Sequence, residues 1–408
     1  MDLVLDGNVL TISPFFTITI GIFVLFVGRR LNAGVGFLRE FSIPEPVTGG
    51  LLFSVLLTLV YALTSIEVAF TLNARDVLLV YFFTTIGINA SLGDLLKGGK
   101  PLIILLAVTI GYMVLQNLTG ISVAALFGLG APVGLLGGSV SLIGGHGTAI
   151  AWAPSIGERF GVTSAMEIGI ASATFGLILA SLMGGPIAKF LISRHNLKPA
   201  EHEQPNVGLA DEDDSRIDAF DFLDAIYAIH LCIIAGFLLN EGIQQLGLQL
   251  PLFVTCLFAG IAITNLMPKN FPRISGSQWP ARKPALALIA DISLGTFLAM
   301  SLMSMQLWTL VDLAGPIFAI LGAQFLVAIA INLLVVFPAM GKNYDAAVVC
   351  AGFGGISLGS TPTAMANMSA VSHKYGNSQL AFIVVPLVCA FFIDLANALM
   401  IPYFLNNF

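Results

Sequence analysis

The chain has 408 residues, 57% of them hydrophobic and only 10% charged, with a net charge of −6. Soluble domains carry about 25% charged residues, so this chain cannot cover a water-exposed surface, and its mean hydropathy of +0.93 assigns it to a lipid bilayer. No basic stripe fits a nucleic-acid partner, and Cys232, Cys256, Cys350 and Cys389 lie in apolar runs without metal-ligand spacing.

The apolar runs, such as Leu102–Gln116 and Phe318–Phe337, are long and do not alternate. They fit helices and not the alternating strands of about ten residues that build an outer-membrane barrel. Met1–Asn8 carries two aspartates and no basic residue, and the apolar run after it continues as a span, so no cleavable leader is expected. Ten spans are predicted, at 10–28, 47–66, 77–93, 101–127, 163–190, 222–246, 251–267, 285–306, 314–338 and 379–404. Asp76 and Asp291 begin two of them as candidate helix caps. Two more stretches, about 134–156 and about 346–371, are apolar but Gly-rich. If both enter and leave on one side as re-entrant hairpins, fifteen of the seventeen basic residues fall inside and only Arg75 and Arg159 outside. This arrangement puts both termini outside. The segment 194–224 holds nine acids and two prolines, and reads as a solvated cytoplasmic linker.

The linker divides the chain into 1–193 and 225–408, each with five spans and one hairpin. At an offset of 215, Gly144–Ala151 falls on Gly359–Ala366, Asp76 on Asp291, Phe82 on Phe297 and Gly137 on Gly352. Five is odd, so the halves face opposite ways. The expected fold is an all-α polytopic membrane protein of two inverted repeats, with the hairpin tips meeting near the bilayer midplane. Inverted repeats with helices broken at matching positions mark secondary transporters.

Irregular backbone at membrane depth survives only where protein or a wet cavity satisfies it. A half-helix N-terminus suits a carboxylate, whereas unwound carbonyls suit Na⁺. The tips Ser141–Thr148 and Ser357–Thr363 add hydroxyls and the His146 imidazole. Glycines at membrane depth also serve plain helix packing, but that needs small-xxx-small spacing, and contiguous Gly-Gly-His-Gly and Gly-Ser-Thr-Pro-Thr break helices instead. His146 is open between substrate binding, proton relay and a structural hydrogen bond. Asp394 and Asn397 share a helix face in the last span. They are open between sodium ligation, pairing with a substrate ammonium, and an interhelical hydrogen bond by a protonated acid. Asn89, Ser91 and Thr174 give weaker signals, Asn89 because it follows Gly87 at a point where the span can unwind.

In order along the chain, Ile43–Leu51 (Ile-Pro-Glu-Pro-Val-Thr-Gly-Gly-Leu), Gly144–Thr148, Met340–Ala347, Thr361–Met368 and Phe391–Leu399 resemble the bacterial sodium/glutamate symporters. That family is similar in fold to the citrate/sodium symporters. The resemblance implies L-glutamate as substrate and Na⁺ as coupling ion, with no other cofactor and no enzymatic activity. It also implies a homodimer in the inner membrane with an elevator mechanism, in which a transport domain holding both hairpins moves against a fixed scaffold. Carried onto this chain, it implies substrate contacts at Gly145, His146, Gly147, Thr148, Ser360, Thr361, Thr363 and Asn367. It implies Na⁺ contacts at Asp394, Asn397, Ser141, Gly144, Ser357, Gly359 and Asn89. No arginine is expected at the midplane, since Arg159 and Lys374 lie at the hairpin exits; backbone N–H groups and hydroxyls must then hold the carboxylates. The same fold with another dicarboxylate, or with H⁺ coupling through His146, is the near alternative. A channel lacks a filter motif, and an intramembrane protease lacks Gly-x-Gly-Asp and Gly-x-Ser-Gly.

Overall fold

A computed structural model describes residues 3–40, 43–90, 92–199, 217–245, 250–266, 279–281 and 283–408. The middle of the acidic linker, 200–216, and Ser91 lie outside them.

The chain opens with a short hairpin, β1 (Leu3–Asp6) against β2 (Val9–Ile12), turned at Gly7 with φ +57°. Helix α1 (Pro14–Gly34) starts with proline at its first position, where the missing N–H is of no consequence. A short α2 (Gly36–Glu40), α3 (Glu45–Thr64) and β3 (Glu67–Phe70) follow, and β3 pairs parallel to β2. Next come α4 (Asn73–Asn89) and α5 (Leu92–Leu126), the latter kinked at Gly99, where φ is +59°. Then follow α6 (Ala131–Leu136), α7 (Gly145–Phe160), α8 (Ala165–His195), α9 (Ala219–Gln245), α10 (Leu252–Leu266) and α11 (Pro284–Met303). Helix α12 (Ala314–Ile331) runs through a π turn at Asn332–Val336 into α13 (Phe337–Ala339). The chain ends with α14 (Tyr344–Leu358), α15 (Thr361–Tyr375), α16 (Gln379–Leu387), a second π turn at Val388–Phe392, and α17 (Ile393–Asn407).

Each of the ten predicted spans coincides with a helix or with helices joined through a π turn. Among the described residues, seven helices are long and apolar enough to cross a bilayer, and α10 is a shorter apolar helix. The protein is therefore a helical, multi-pass membrane protein. Three details differ from the sequence reading. The first span begins at Pro14 because Val9–Ile12 is spent on the small sheet. Asp76 caps nothing; it takes two hydrogen bonds from the neighbouring Arg75 guanidinium, at 2.8 and 2.6 Å. Asp291 lies two turns inside α11, because that helix already starts at Pro284.

The helices form two compact units. One takes residues 1–31, 45–94 and 210–305, and so contains the sheet with α1, α3, α4, α9, α10 and α11. The other takes 32–44, 95–209 and 306–408 and contains the remaining helices. The first unit is knit by small residues. A Cβ on Gly87 of α4 would run into the Leu257 carbonyl of α10, and one on Gly260 would lie 2.9 Å from the Gly87 carbonyl carbon. Such approach is how helices associate where lipid removes the hydrophobic drive. Phe82 and Phe83 of α4 meet Phe297 and Phe253 at 5.7 and 4.7 Å between ring centroids. In the second unit α8 is the central helix, packed by α7, α14 and α15. Its largest fully buried side chains include Trp152, Tyr112 and Phe353, and the Tyr112 and Phe353 rings meet edge to face at 5.4 Å.

Candidate functional site

The second unit contains two helix breaks. In the Gly-rich stretch 134–156, α6 ends at Leu136, residues 137–144 form irregular turns, and α7 begins at Gly145. In 346–371, α14 ends at Leu358 and α15 begins at Thr361, with Gly359 and Ser360 between. Shifted by 215 residues, α15 covers 146–160, nearly the range of α7, so the two breaks end within one residue of each other, although the first is longer. The breaks are local chemistry. Gly145 takes φ +69°, a left-handed conformation that favours glycine. Ser360 is fully extended, and Pro362 starts α15 near its first position.

The two breaks touch. A Cβ built on Gly145 would lie 3.8 Å from the Gly359 carbonyl oxygen. The start of α17 meets the first of them, because the π turn delivers Asp394 and Asn397 there. Thr148 Oγ1 donates to Asp394 Oδ1 at 3.5 Å, and Asn397 Nδ2 donates to the Ser139 carbonyl at 3.2 Å. Gly144 packs directly on the Asn397 amide, since a Cβ there would sit 2.9 Å from Nδ2. Asn397 Oδ1, Ser139 Oγ and Ser141 Oγ are buried without a hydrogen-bond partner. Like the Asp394 carboxylate these are hard oxygen donors, of the type that alkali and alkaline-earth cations prefer; Ser141 Oγ faces α8, where a Cβ on Gly169 would lie 3.4 Å from it.

The other candidates take different places. His146 is buried and its Nε2 lies 3.0 Å from Thr174 Oγ1 on α8. The Thr174 hydroxyl also lies 2.9 Å from the Ile170 carbonyl, to which it donates; with that bond made, the contact to His146 fits an Nε2–H donor. Gly147 follows in the first turn of α7. Ser360 Oγ and Thr363 Oγ1 share a bond of 3.2 Å; Ser360 and Thr361 are half-buried, while Thr363 is fully buried. Asn367 ties helices together, its Nδ2 reaching the carbonyls of Ala180 at 3.1 Å and Ala351 at 3.4 Å. Ser357 is fully buried, and its hydroxyl turns back onto the Gly354 carbonyl at 3.1 Å. Asn89 is not part of this group. It ends α4 in the first unit, where α10 caps the neighbouring carbonyls: Thr264 bonds Ile88 at 3.0 Å and Asn265 bonds Ala90 at 2.8 Å. Gly87 stays helical, so the span ends at Asn89 instead of unwinding inside.

Neither α7 nor α15 puts a cationic side chain at its break. Arg159 is in the last turn of α7 and Lys374 in the last turn of α15, each roughly 20 Å along its helix from the break at 1.5 Å per residue. Arg159 is occupied with Asn406 at 3.3 Å, and Lys374 lies over the Tyr375 ring. An anion between the breaks would therefore meet the free N–H groups that open α7 and α15.

Gln116, Asn117, Gln324 and Asn332 are functional-site neighbours that sequence reasoning missed. Asn117 Oδ1 accepts from the Ser139 N–H at 2.9 Å, and Asn332 Nδ2 donates to the Cys350 carbonyl at 2.9 Å. Their signal was simply an amide inside an apolar span, which is costly unless it serves a partner.

Two helix breaks in contact, lined by hydroxyls, with a carboxylate from a third helix at the first of them, define a polytopic membrane protein built to handle small polar solutes. The sodium/glutamate symporter family matches residues 10–377. The chain is 40% identical over 399 residues to a sodium/glutamate symporter of Escherichia coli (strain K12), covering 95% of this chain and 96% of that one. It is 37% identical over 393 residues to a sodium/glutamate symporter of Haemophilus influenzae, with the same coverage of each. The chain belongs to the sodium/glutamate symporter family, whose members are transporters and not enzymes.

Proposed function

We propose that this protein carries L-glutamate into the cell together with Na⁺ across the bacterial inner membrane. The observation that supports it most is the contact between the two helix breaks, with Asp394 and Asn397 at the first of them, in a chain of this family. The substrate carboxylates lie against the N-termini of α7 and α15, with Gly145, His146, Gly147, Thr148, Ser360 and Thr361 around them. Thr363 supports Ser360, and Asn367 holds α15 in place. Na⁺ is held by Asp394, Asn397, Ser141 and the carbonyls around Gly144, with Ser357 and Gly359 contributing backbone oxygens.

The two halves, 1–193 and 225–408, are inverted repeats, and each Gly-rich hairpin is re-entrant. The matching ends of the two breaks at an offset of 215 support this. The acidic linker 194–224 is cytoplasmic and both termini are outside. The unit holding both hairpins moves as the transport domain and the other serves as scaffold, in an elevator-type cycle within a homodimer. The interleaving of the compact units supports that assignment, because each takes corresponding spans from both halves.

Uptake of radiolabelled L-glutamate into proteoliposomes tests the reading. Accumulation is expected with an inward Na⁺ gradient and not with an H⁺ gradient alone. Uptake driven equally by H⁺, or no uptake from folded protein, would refute it.

A further inference from the structure

Two glutamines sit at the centre of the second unit, and neither belongs to the substrate or ion set. Gln116 on α5 and Gln324 on α12 are both fully buried. They are 208 residues apart, on corresponding spans of the two halves. Gln116 Nε2 donates to the Ser357 carbonyl at 2.8 Å and to Tyr112 Oη at 3.1 Å. Ser357 lies in the last turn of α14, so its carbonyl is one that the helix leaves without a partner at the second break. Gln324 Nε2 donates to the Gly137 carbonyl at 3.1 Å, at the start of the first break, and to the Gln116 carbonyl at 2.7 Å.

These contacts form one continuous path. It runs from Gly137 at the first break through the Gln324 amide to the Gln116 backbone, and from the Gln116 side chain to Ser357 at the second break. Both amides use their N–H groups, and both Oε1 atoms are buried without a partner. An amide kept only for packing would be expected to satisfy its oxygen as well. Here the geometry favours the two break carbonyls.

We propose that Gln116 and Gln324 are a pair of positioning residues forming an amide bridge that couples the two breaks, so that occupancy of one alters affinity at the other. The bridge makes Na⁺ binding raise the affinity for the anionic substrate. The inference rests on the Na⁺-coupled glutamate reading above.

The test is the half-saturation for glutamate in proteoliposomes at low and at high Na⁺, taken as a ratio. Allosteric couplings commonly amount to about 5-fold or more. Gln116→Met and Gln324→Met keep the side-chain length and remove the donors, and each is expected to shrink the wild-type ratio by about 5-fold or more. The double variant is expected to shrink it no further, since one cut already severs the path. Tyr112→Phe keeps the packing and removes a hydroxyl that accepts from Gln116 and itself donates to the Ser357 carbonyl at 3.4 Å, while leaving the direct Gln116–Ser357 bond, so it serves where the methionine variants fail to fold; a smaller change in the same direction is expected. A merely structural role would lower the melting midpoint or the maximal rate and leave the ratio unchanged. An unchanged ratio in folded variants, or strictly additive losses in the double variant, would overturn the bridge. Wild-type uptake indifferent to Na⁺ would refute the symport reading itself, and this inference with it.

Discussion

Gly176 on α8 lies where both hairpins press on that helix, and its replacement by alanine tests how tightly they are set. An added methyl would collide with the Leu358 carbonyl oxygen of the second hairpin, and would lie 2.8 Å from Leu142 Cδ2 of the first. Leu142 can rotate away. A backbone carbonyl at the end of α14 cannot move without displacing Gly359. Overpacking of this kind costs about 1–3 kcal/mol, and a backbone obstacle puts Gly176→Ala toward the upper end. Alanine returns up to about 1 kcal/mol through its helix propensity. A net loss of about 1–2 kcal/mol is expected, with the half-saturation for glutamate raised roughly tenfold if about 1.4 kcal/mol of it falls on the bound state. The control is Gly322→Ala on α12, where an added Cβ meets nothing within 4 Å. It should be neutral or stabilising by up to about 1 kcal/mol. Thermal melting of detergent-purified protein and uptake kinetics give the two readouts. A Gly176→Ala protein that melts and transports like Gly322→Ala would refute the reasoning from close contact.

Asp394→Asn keeps an acceptor for Thr148 while removing the charge, so folding should survive and the Na⁺ needed for half-maximal uptake should rise about tenfold or more, the scale of one lost charge contact of about 1.4 kcal/mol; unchanged Na⁺ activation would remove Asp394 from the ion site. Thr363→Val strips the buried hydroxyl from Ser360, a loss of about 0.5–1.5 kcal/mol, and should raise the half-saturation for glutamate several-fold without altering Na⁺ activation. Cysteines at the exposed hairpin exits, Glu158→Cys and His373→Cys, should react with an impermeant thiol reagent from outside and inside respectively, against four buried native cysteines; the reverse pattern would invert the topology.

The spans were legible because a bilayer imposes one length and one composition, and ten apolar runs carried both. The small sheet escaped because its strands are four residues each, and the third lies beyond helices α1, α2 and α3 from the other two. Local chemistry made the breaks readable: Gly144–Gly145 and Ser360–Pro362 say where a helix cannot continue. The meeting of Thr148 with Asp394 spans 246 residues, and that of Gln116 with Ser357 spans 241. No local pattern encodes such pairs. For Asn367 and Ser357, residue type alone suggested ligands, while the structure spends their side chains on backbone carbonyls.

Buried polar atoms are distributed unequally between the two units. Among the described residues, eleven buried side-chain nitrogen and oxygen atoms lack a partner, and nine of them lie in the unit that holds both hairpins. Only Ser13 and Ser301 fall in the other. In a low-dielectric interior each such atom costs about 1–3 kcal/mol, so their concentration in one unit calls for a reason beyond packing. Their persistence around Asn117, Ser139, Ser141, Ser172 and Asn397 is the expected state of groups that exchange bonds with a passing ion or substrate. Replacing Ser172 with alanine separates the two explanations. If its hydroxyl only carries an unpaid desolvation cost, the variant should melt higher with unchanged kinetics; if it takes part in transport, the stability gain should come with a raised half-saturation for Na⁺ or glutamate.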